Sequence, residues 1–263
     1  MKKIILLLIF VSSISLFAKN ILLGVVPQQS PLKLANKWLK ITKYLEKETG
    51  FNIIFSTEKS IPEFEKSLYI GLYDVSYMNP YHFIIANKRQ KYEAFVRAQK
   101  DIVGIIVSKD KKLDLTNIKS LKNKKFLFPA PNAFAATLLP KYEFKNIYNF
   151  DIDKNAKALY VNSHDSVYKG ISRGLGYLGG GIIRTYNNFL EDIDKKNLHI
   201  VYKTKAYPSH PFAYHPRMSK DDIAKIEKAI INMPSELKKI LSIKKFKKID
   251  SNEYEVIKNL NVK

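Results

Sequence analysis

Tyr73-Asp-Val-Ser-Tyr77-Met-Asn79-Pro80-Tyr81 is a short apolar run that ends in an Asn-Pro pair. Such a run reads as a strand, and Asn-Pro reads as a turn that opens a helix with Asn79 in the capping position. Immediately before it, Ile61 to Leu72 sets Phe64 and Leu68 on one helical face. Further back, Phe51-Asn-Ile-Ile-Phe55 is a strand, and Leu34, Trp38, Ile41 and Leu45 recur at spacings of three and four before Gly50, the pattern of an amphipathic helix with a glycine stop. Ile21-Leu-Leu-Gly-Val-Val26 is a buried strand halted by Pro27. Strand, helix, strand, helix, strand with short links is the order of a parallel sheet covered by helices, and right-handed crossovers fix its local topology.

Downstream, Ile102-Val-Gly-Ile-Ile-Val107 is another strand, after which the composition turns to Lys, Asp and Asn through Lys124. This change marks the expected crossing into a second lobe. Lys125-Phe-Leu-Phe128, a helix from Thr137 to Tyr142, the strand Ala158-Leu-Tyr-Val161 and a helix from Ser166 to Arg173 form a second series, broken by Gly174, Gly176, Gly179, Gly180 and Gly181. Leu198 to Tyr202 is a further strand, and Ala206-Tyr-Pro-Ser-His-Pro211 carries the chain back to the first lobe. Helices over Ser219–Asn232 and Ser235–Leu241 are expected to pack there. The expected fold is therefore α/β and two-lobed, each lobe a mostly parallel sheet flanked by helices, with a ligand cleft between them. Its boundaries are residues 19–107 and 206–263 for lobe one and 108–205 for lobe two.

The chain opens with Lys2 and Lys3, an apolar run from Ile4 through Phe17 interrupted by serines, and Ala18 before Lys19-Asn20. That order reads as a secretory signal over residues 1–18, cleaved near Ala18. Its apolar stretch falls short of the roughly 20 residues of a spanning helix. The implied location is the periplasm. Without cysteine there is neither a disulfide framework, a thiol nucleophile nor a lipid-modified cysteine anchor. A monomer free in its compartment is the expectation. The formal charge of +21 raises nucleic acid as a partner, but the lysines are spread through every segment, so the sequence reads as a Lys-rich solubilising surface that attracts anions.

In open parallel sheets, ligands sit beyond the carboxyl ends of strands, where loops and helix N-termini offer polar groups. Four such junctions stand out. Gln28 follows the first strand, and Tyr77, Asn79 and Tyr81 follow the third. Asn132, Ala133, Phe134, Ala135, Ala136 and Thr137 form a small-residue loop opening a helix. Asn162-Ser163-His164-Asp165-Ser166 is a polar cluster between strand and helix. Adjacent Ser, His and Asp point in different directions and cannot form a catalytic relay, so no enzyme activity is expected. The five histidines have no ligand-pair spacing for a metal, and the glycines lack the Lys-Ser/Thr of a phosphate-binding loop. No cofactor is expected. The ligand-binding set is Gln28, Tyr77, Asn79, Tyr81, Asn132, Phe134, Thr137, His164, Asp165 and Ser166.

The export signal, Gly24-Val-Val-Pro27, Trp38, Asp74 followed by Asn79-Pro80-Tyr81, and Ser163-His164-Asp165 before a glycine-rich stretch together resemble a known family. They are similar to the phosphate/phosphite/phosphonate-binding periplasmic proteins of ABC transporters, the PhnD-like group of the type II periplasmic-binding-protein fold. The resemblance runs from about Ile21 to about Pro211. It implies a pocket tyrosine at Tyr77 or Tyr81, a pocket histidine at His164, and an oxyanion ligand delivered to an inner-membrane ABC permease. The alternative partner it implies is a sensor histidine kinase. Where phosphonate binders present Ser/Thr hydroxyls, this chain has Ala133, Phe134, Ala135 and Ala136. Where they carry Gly-x-x-Asp, it reads Gly174-Leu-Gly-Tyr177. Both departures imply a subgroup with altered ligand preference.

Overall fold

The computed structural model describes residues 18–113, 115–189 and 196–262, and the expected signal segment lies almost wholly outside them. Eleven strands are described: β1 Asn20–Val25, β2 Asn52–Ser56, β3 Val75–Tyr77, β4 Glu93–Ala98, β5 Ile102–Ser108, β6 Lys125–Phe128, β7 Lys157–Tyr160, β8 Leu178–Ile182, β9 His199–Tyr207, β10 Pro211–Tyr214 and β11 Phe246–Lys248. The helices are α1 Pro31–Thr49, α2 Ile61–Tyr69, α3 Pro80–Gln90, α4 Leu139–Tyr148, α5 Ile152–Asn155, α6 His164–Ser172, α7 Ile183–Asn187, α8 Lys220–Ile231, α9 Ser235–Ile240 and α10 Glu255–Lys258. Among the described residues no helix is long and apolar enough to cross a membrane.

The helices begin and end where local chemistry dictates. Ser60, Asn79, Ser163 and Ser219 each cap a helix by accepting a backbone N–H three residues on. Gly50 ends α1 in the left-handed conformation that its missing Cβ permits. The apolar stripe of α1 buries Leu34, Trp38, Ile41 and Leu45 against the first sheet.

The strands form two sheets, in the orders β11-β4-β10-β3-β1-β2 and β7-β6-β8-β5-β9. The β1-β2, β1-β3, β6-β7 and β6-β8 pairs are parallel and the other five pairs among the described strands are antiparallel. This corrects the expectation of mostly parallel sheets. At each crossing β4 and β9 run with the β-α-β series of their sheets, whereas the strands that receive the chain, β5 and β10, run against it. Their antiparallel sense cannot be read from alternation.

The crossing also differs from the expected boundary. Ile102–Ser108 is the fourth strand of the second sheet, so the chain leaves the first sheet between Ala98 and Ile102, not after Val107. It returns between Tyr207 and Pro211, slightly beyond the expected point. A fully apolar strand satisfies either sheet, and the polar stretch after it is a surface segment of lobe two.

The glycine run has a packing role. Residues 134–138 form one turn of π-helix before α4, with Leu138 N–H bonded to Ala133 O at 3.2 Å. A Cβ on Gly180 would stand 1.9 Å from Ala136 O, and one on Gly104 would stand 2.0 Å from Ala135 O. Strands β5 and β8 therefore carry glycine where that turn lies on the sheet.

Candidate functional site

Gln28, Tyr77, the 129–133 loop, the first turn of α6 and the first turn of α7 follow the carboxyl ends of β1, β3, β6, β7 and β8 respectively. That is where the loops of parallel strands converge on a ligand. The two lobes meet there. Apolar contact between them includes Val26 and Met78 from lobe one and Ile102, Ala133, Phe134, Ala135 and Ile182 from lobe two.

At the centre of the contact is Arg184. Its Nη1 donates to the Tyr77 hydroxyl at 2.8 Å and its Nη2 donates to Gln28 Oε1 at 2.8 Å. Both partners are uncharged and both belong to lobe one. With Gln28 Oε1 facing the guanidinium, the amide nitrogen of Gln28 faces His210 Nε2 at 3.1 Å. An amide nitrogen only donates, so His210 Nε2 accepts and the ring proton of the neutral imidazole sits on Nδ1. Burial, reinforced by Arg184, holds His210 well below the usual histidine range, which keeps it neutral.

Other contacts tie the lobes. Lys33 at the start of α1 donates to Asp165 Oδ2 at 2.8 Å, and the His164 backbone N–H donates to Gln28 O at 3.3 Å. The Asn79 amide donates to Asn132 O at 3.1 Å, and the Asn132 amide donates to Glu65 Oε2 at 3.0 Å. A cavity of about 50 Å³ remains beside Arg184, lined in part by Gln28, Lys37, Trp38, Tyr77 and Thr185. Burial lowers the Lys37 pKa. Asp165 acts to raise it, and Arg184 and Lys33 lower it further. A smaller space of about 10 Å³ lies deeper, against Gln28, Asn79, the 133–136 turn, His164 and His210.

The residues expected from sequence separate into those that face these spaces and those that do not. Gln28, Tyr77, Asn79, Phe134 and His164 line one or both. Asn132 and Asp165 hold the lobes together at the positions just described. Thr137 is fully buried, and its hydroxyl donates to Ala130 O at 2.8 Å. The Ser166 hydroxyl is bonded to Ser163 at 2.9 Å at the start of α6, and half-buried Tyr81 packs on the apolar cluster that the two lobes share. Phe134 is buried, its ring edge-on to Tyr207 at 5.9 Å.

His164 is enclosed, with Nδ1 3.2 Å from the Thr185 hydroxyl, and burial pushes its pKa down to about 4, against a raising influence from Asp165. The resemblance-implied Asp74 has a structural role. It accepts from Leu22 N–H and from Arg217, and so joins β1 to the segment after β10.

Sequence reasoning missed Arg184, Lys37 and His210. One signal was present: the chain has five arginines against forty lysines, so an arginine two residues after the glycine-rich strand is a marked choice.

The site can hold a small anion. It offers a guanidinium bonded only to neutral groups, a lysine, a phenol, and the amide N–H groups of Phe134, Ala135 and Ala136 at the start of a helix, where no carbonyl of that helix can accept them. Among the described residues no cluster of three or more His, Cys, Asp or Glu side chains suits a metal ion.

Similarity to solved proteins follows the same fold. A binding protein component of an ABC phosphonate transporter from Pseudomonas aeruginosa superposes with a TM-score of 0.82 at 17% identity, covering 92% of this chain and 85% of that one. PhnD1 from Prochlorococcus marinus, solved in complex with methylphosphonate, gives 0.83 at 18% identity, covering 92% and 97%. A Xanthomonas citri protein solved with bound ATP gives 0.68 at 14% identity, covering 92% and 96%. Among curated proteins the sequence has no match. The family model for the phosphonate periplasmic substrate-binding proteins of ABC transporters matches residues 23–254. That match spans both sheets and the whole cleft, and the chain belongs to this family of periplasmic substrate-binding proteins.

Proposed function

We propose that this protein captures a small oxyanion of the phosphonate or phosphite class between its lobes and delivers it to an inner-membrane ABC permease. The observation that carries the reading is Arg184, a lobe-two guanidinium held by the Tyr77 hydroxyl and Gln28 of lobe one with no carboxylate among those partners. An anion bound beside it meets both lobes at once, and a ligand that contacts both walls favours the closed arrangement. The anion-binding set we assign is Arg184, Lys37, Gln28 and Tyr77, with the 134–136 amides and His164 completing the deeper wall. Arg184 supplies the positive charge that compensates for the hydroxyls absent from Ala133, Ala135 and Ala136.

Asn79, Asn132, Asp165 and Ser166 act in this reading through the walls, by capping helices and tying the lobes. No covalent chemistry is involved. Delivery follows because the permease reads the closed form, and release follows when it opens the cleft.

Thermal unfolding against phosphate, phosphite, alkylphosphonates, sulfate and arsenate tests the reading. A ligand at 100 times its dissociation constant adds about 2.7 kcal/mol of stability. The expected result is a shift with a phosphorus oxyanion that Arg184→Ala abolishes. The absence of a shift with every anion overturns the proposal.

A further inference from the structure

Two positive charges stand at the cleft cavity, and each is held by an amide. Arg184 Nη2, from lobe two, donates to Gln28 Oε1 at 2.8 Å, and Lys37 Nζ, from α1 in lobe one, donates to Gln29 Oε1 at 2.7 Å. Gln29 is buried and Lys37 half-buried. Consecutive glutamines therefore orient one cation each and neutralise neither. A carboxylate at either position would form an ion pair and cancel that charge.

The surroundings do not cancel the two charges. Among the described residues no Asp or Glu lines the cavity. Asp165, across the cleft on α6, acts on Lys37 from outside this lining, with its Oδ2 accepting from Lys33 at 2.8 Å. Burial lowers the Lys37 pKa, Asp165 opposes that, and Arg184 and Lys33 add to the lowering, so like charges are held together against their repulsion. Tyr77 contributes a phenol that accepts from Arg184, and the segment that packs over the start of α1 contributes only Ile240 and Leu241. The cavity of about 50 Å³ has room for about four water-sized groups, the scale of a tetrahedral oxyanion.

We propose that the cleft selects the dianionic form of its ligand, and that Lys37 is the residue that reads the second negative charge. This rests on the oxyanion reading given above. A dianion compensates Arg184 from lobe two and Lys37 from lobe one together, so the second charge adds directly to the preference for closure. A monoanion leaves one cation uncompensated, and its retained proton finds no carboxylate on the cavity wall.

Phosphite and alkylphosphonates take their second charge near neutral pH, so affinity is expected to rise as pH rises through the second ionisation of the ligand. His164, held at about 4, and His210, held well below the histidine range, stay neutral through that interval and contribute nothing to the rise. At the alkaline end the lowered Lys37 pKa brings the loss of its proton closer, and affinity falls again.

Methanesulfonate has the shape of methylphosphonate and stays a monoanion throughout, which isolates charge from fit. Calorimetric titration of the purified chain, with fluorescence of the cavity-lining Trp38 in parallel, is carried out with methylphosphonate, phosphite and methanesulfonate from about pH 5.5 to about pH 8. At the upper end methylphosphonate is expected to bind at least about ten-fold tighter than methanesulfonate. Phosphite, whose second proton is the more acidic, is expected to gain affinity at lower pH than methylphosphonate, and methanesulfonate to stay flat. Lys37→Met is expected to bring the ratio between the isosteric pair close to one, and Lys37→Arg to keep it.

Equal affinity for the isosteric pair at the upper end, or a flat pH curve for phosphite, overturns the selection of a dianion and leaves the oxyanion reading standing. A ratio that survives Lys37→Met overturns the role of Lys37. Silence toward all three ligands at every pH overturns both readings together. Should Lys37→Met fail to fold, the curves of the natural chain decide on the dianion and Lys37→Gln decides on the lysine.

Discussion

The Arg184 guanidinium donates to the Tyr77 hydroxyl at 2.8 Å, joining residues 107 positions apart and closing lobe two onto lobe one. Gln28 completes the fork from 156 positions away. A planar fork satisfied by two neutral acceptors keeps its full charge for an anion, a geometry that a lysine ammonium does not reproduce.

Arg184→Ala is therefore expected to lower affinity for the oxyanion selected by thermal unfolding by about a hundred-fold, and Arg184→Lys by about ten-fold, with the fold unchanged. Isothermal titration calorimetry measures both. Equal affinities for the natural chain and Arg184→Ala would remove Arg184 from the site.

Lys33 and Asp165 form an ion pair across the lobes, with the lysine side chain half-exposed and the carboxylate nearly buried. Because solvent reaches the pair, its contribution is modest, about 0.5 kcal/mol, and is screened by salt. Lys33→Met is expected to shift the ligand-free population toward the open arrangement, more visibly at low than at high ionic strength. Fluorescence transfer between dyes on the two lobes reads that shift directly.

His164 is pushed down to about 4 by burial, below the ordinary value near 6.5 that it regains on unfolding. As pH falls below 6.5 the unfolded chain takes up the proton and the folded chain does not. The stability that neutral His164 contributes is present above pH 6.5 and is lost between pH 6.5 and about 4, on the order of 3 kcal/mol in all. His210, lowered by burial and by Arg184, adds in the same direction. In urea melts across that window, His164→Gln is expected to show a shallower fall than the natural chain. Parallel curves would show that the His164 proton is not linked to folding.

Gly180→Ala places a methyl group 1.9 Å from Ala136 O and 2.6 Å from the Phe128 ring, where backbone and buried ring have little room to yield. The expected cost is about 3 kcal/mol, at the upper end for overpacking. Gly174→Ala meets no atom within 4 Å but sits at φ +79, so its cost is backbone strain alone, about 1 kcal/mol. Chemical denaturation of the two variants separates space from conformation.

Much of the fold was legible because its signals are local. Caps at Ser60, Asn79, Ser163 and Ser219, the apolar stripe of α1 and the glycine stop at Gly50 are each set within a few residues. Gln28, Tyr77, Asn79, Phe134 and His164, which line the candidate site, were reachable from sequence because each follows a recognisable strand end or opens a helix. Thr137 and Tyr81 lie at the same kind of junction, yet face Ala130 O and the apolar cluster shared by the two lobes. A strand-to-helix junction fixes the neighbourhood of a side chain and leaves its direction to packing.

Sequence alone determined the α/β class, the two series of strands and helices, and the strand-to-helix junctions at which the lobes meet. Tertiary structure alone decided the points where the chain crosses between sheets, the glycine-permitted approach of the π-turn, and the meeting of Arg184 with Tyr77 and Gln28 and of Gln28 with His210. The reason is range. Periodicity and capping are energies of neighbouring residues, whereas the Gln28–Arg184 contact spans 156 positions and exists only after both sheets have formed and the lobes have closed.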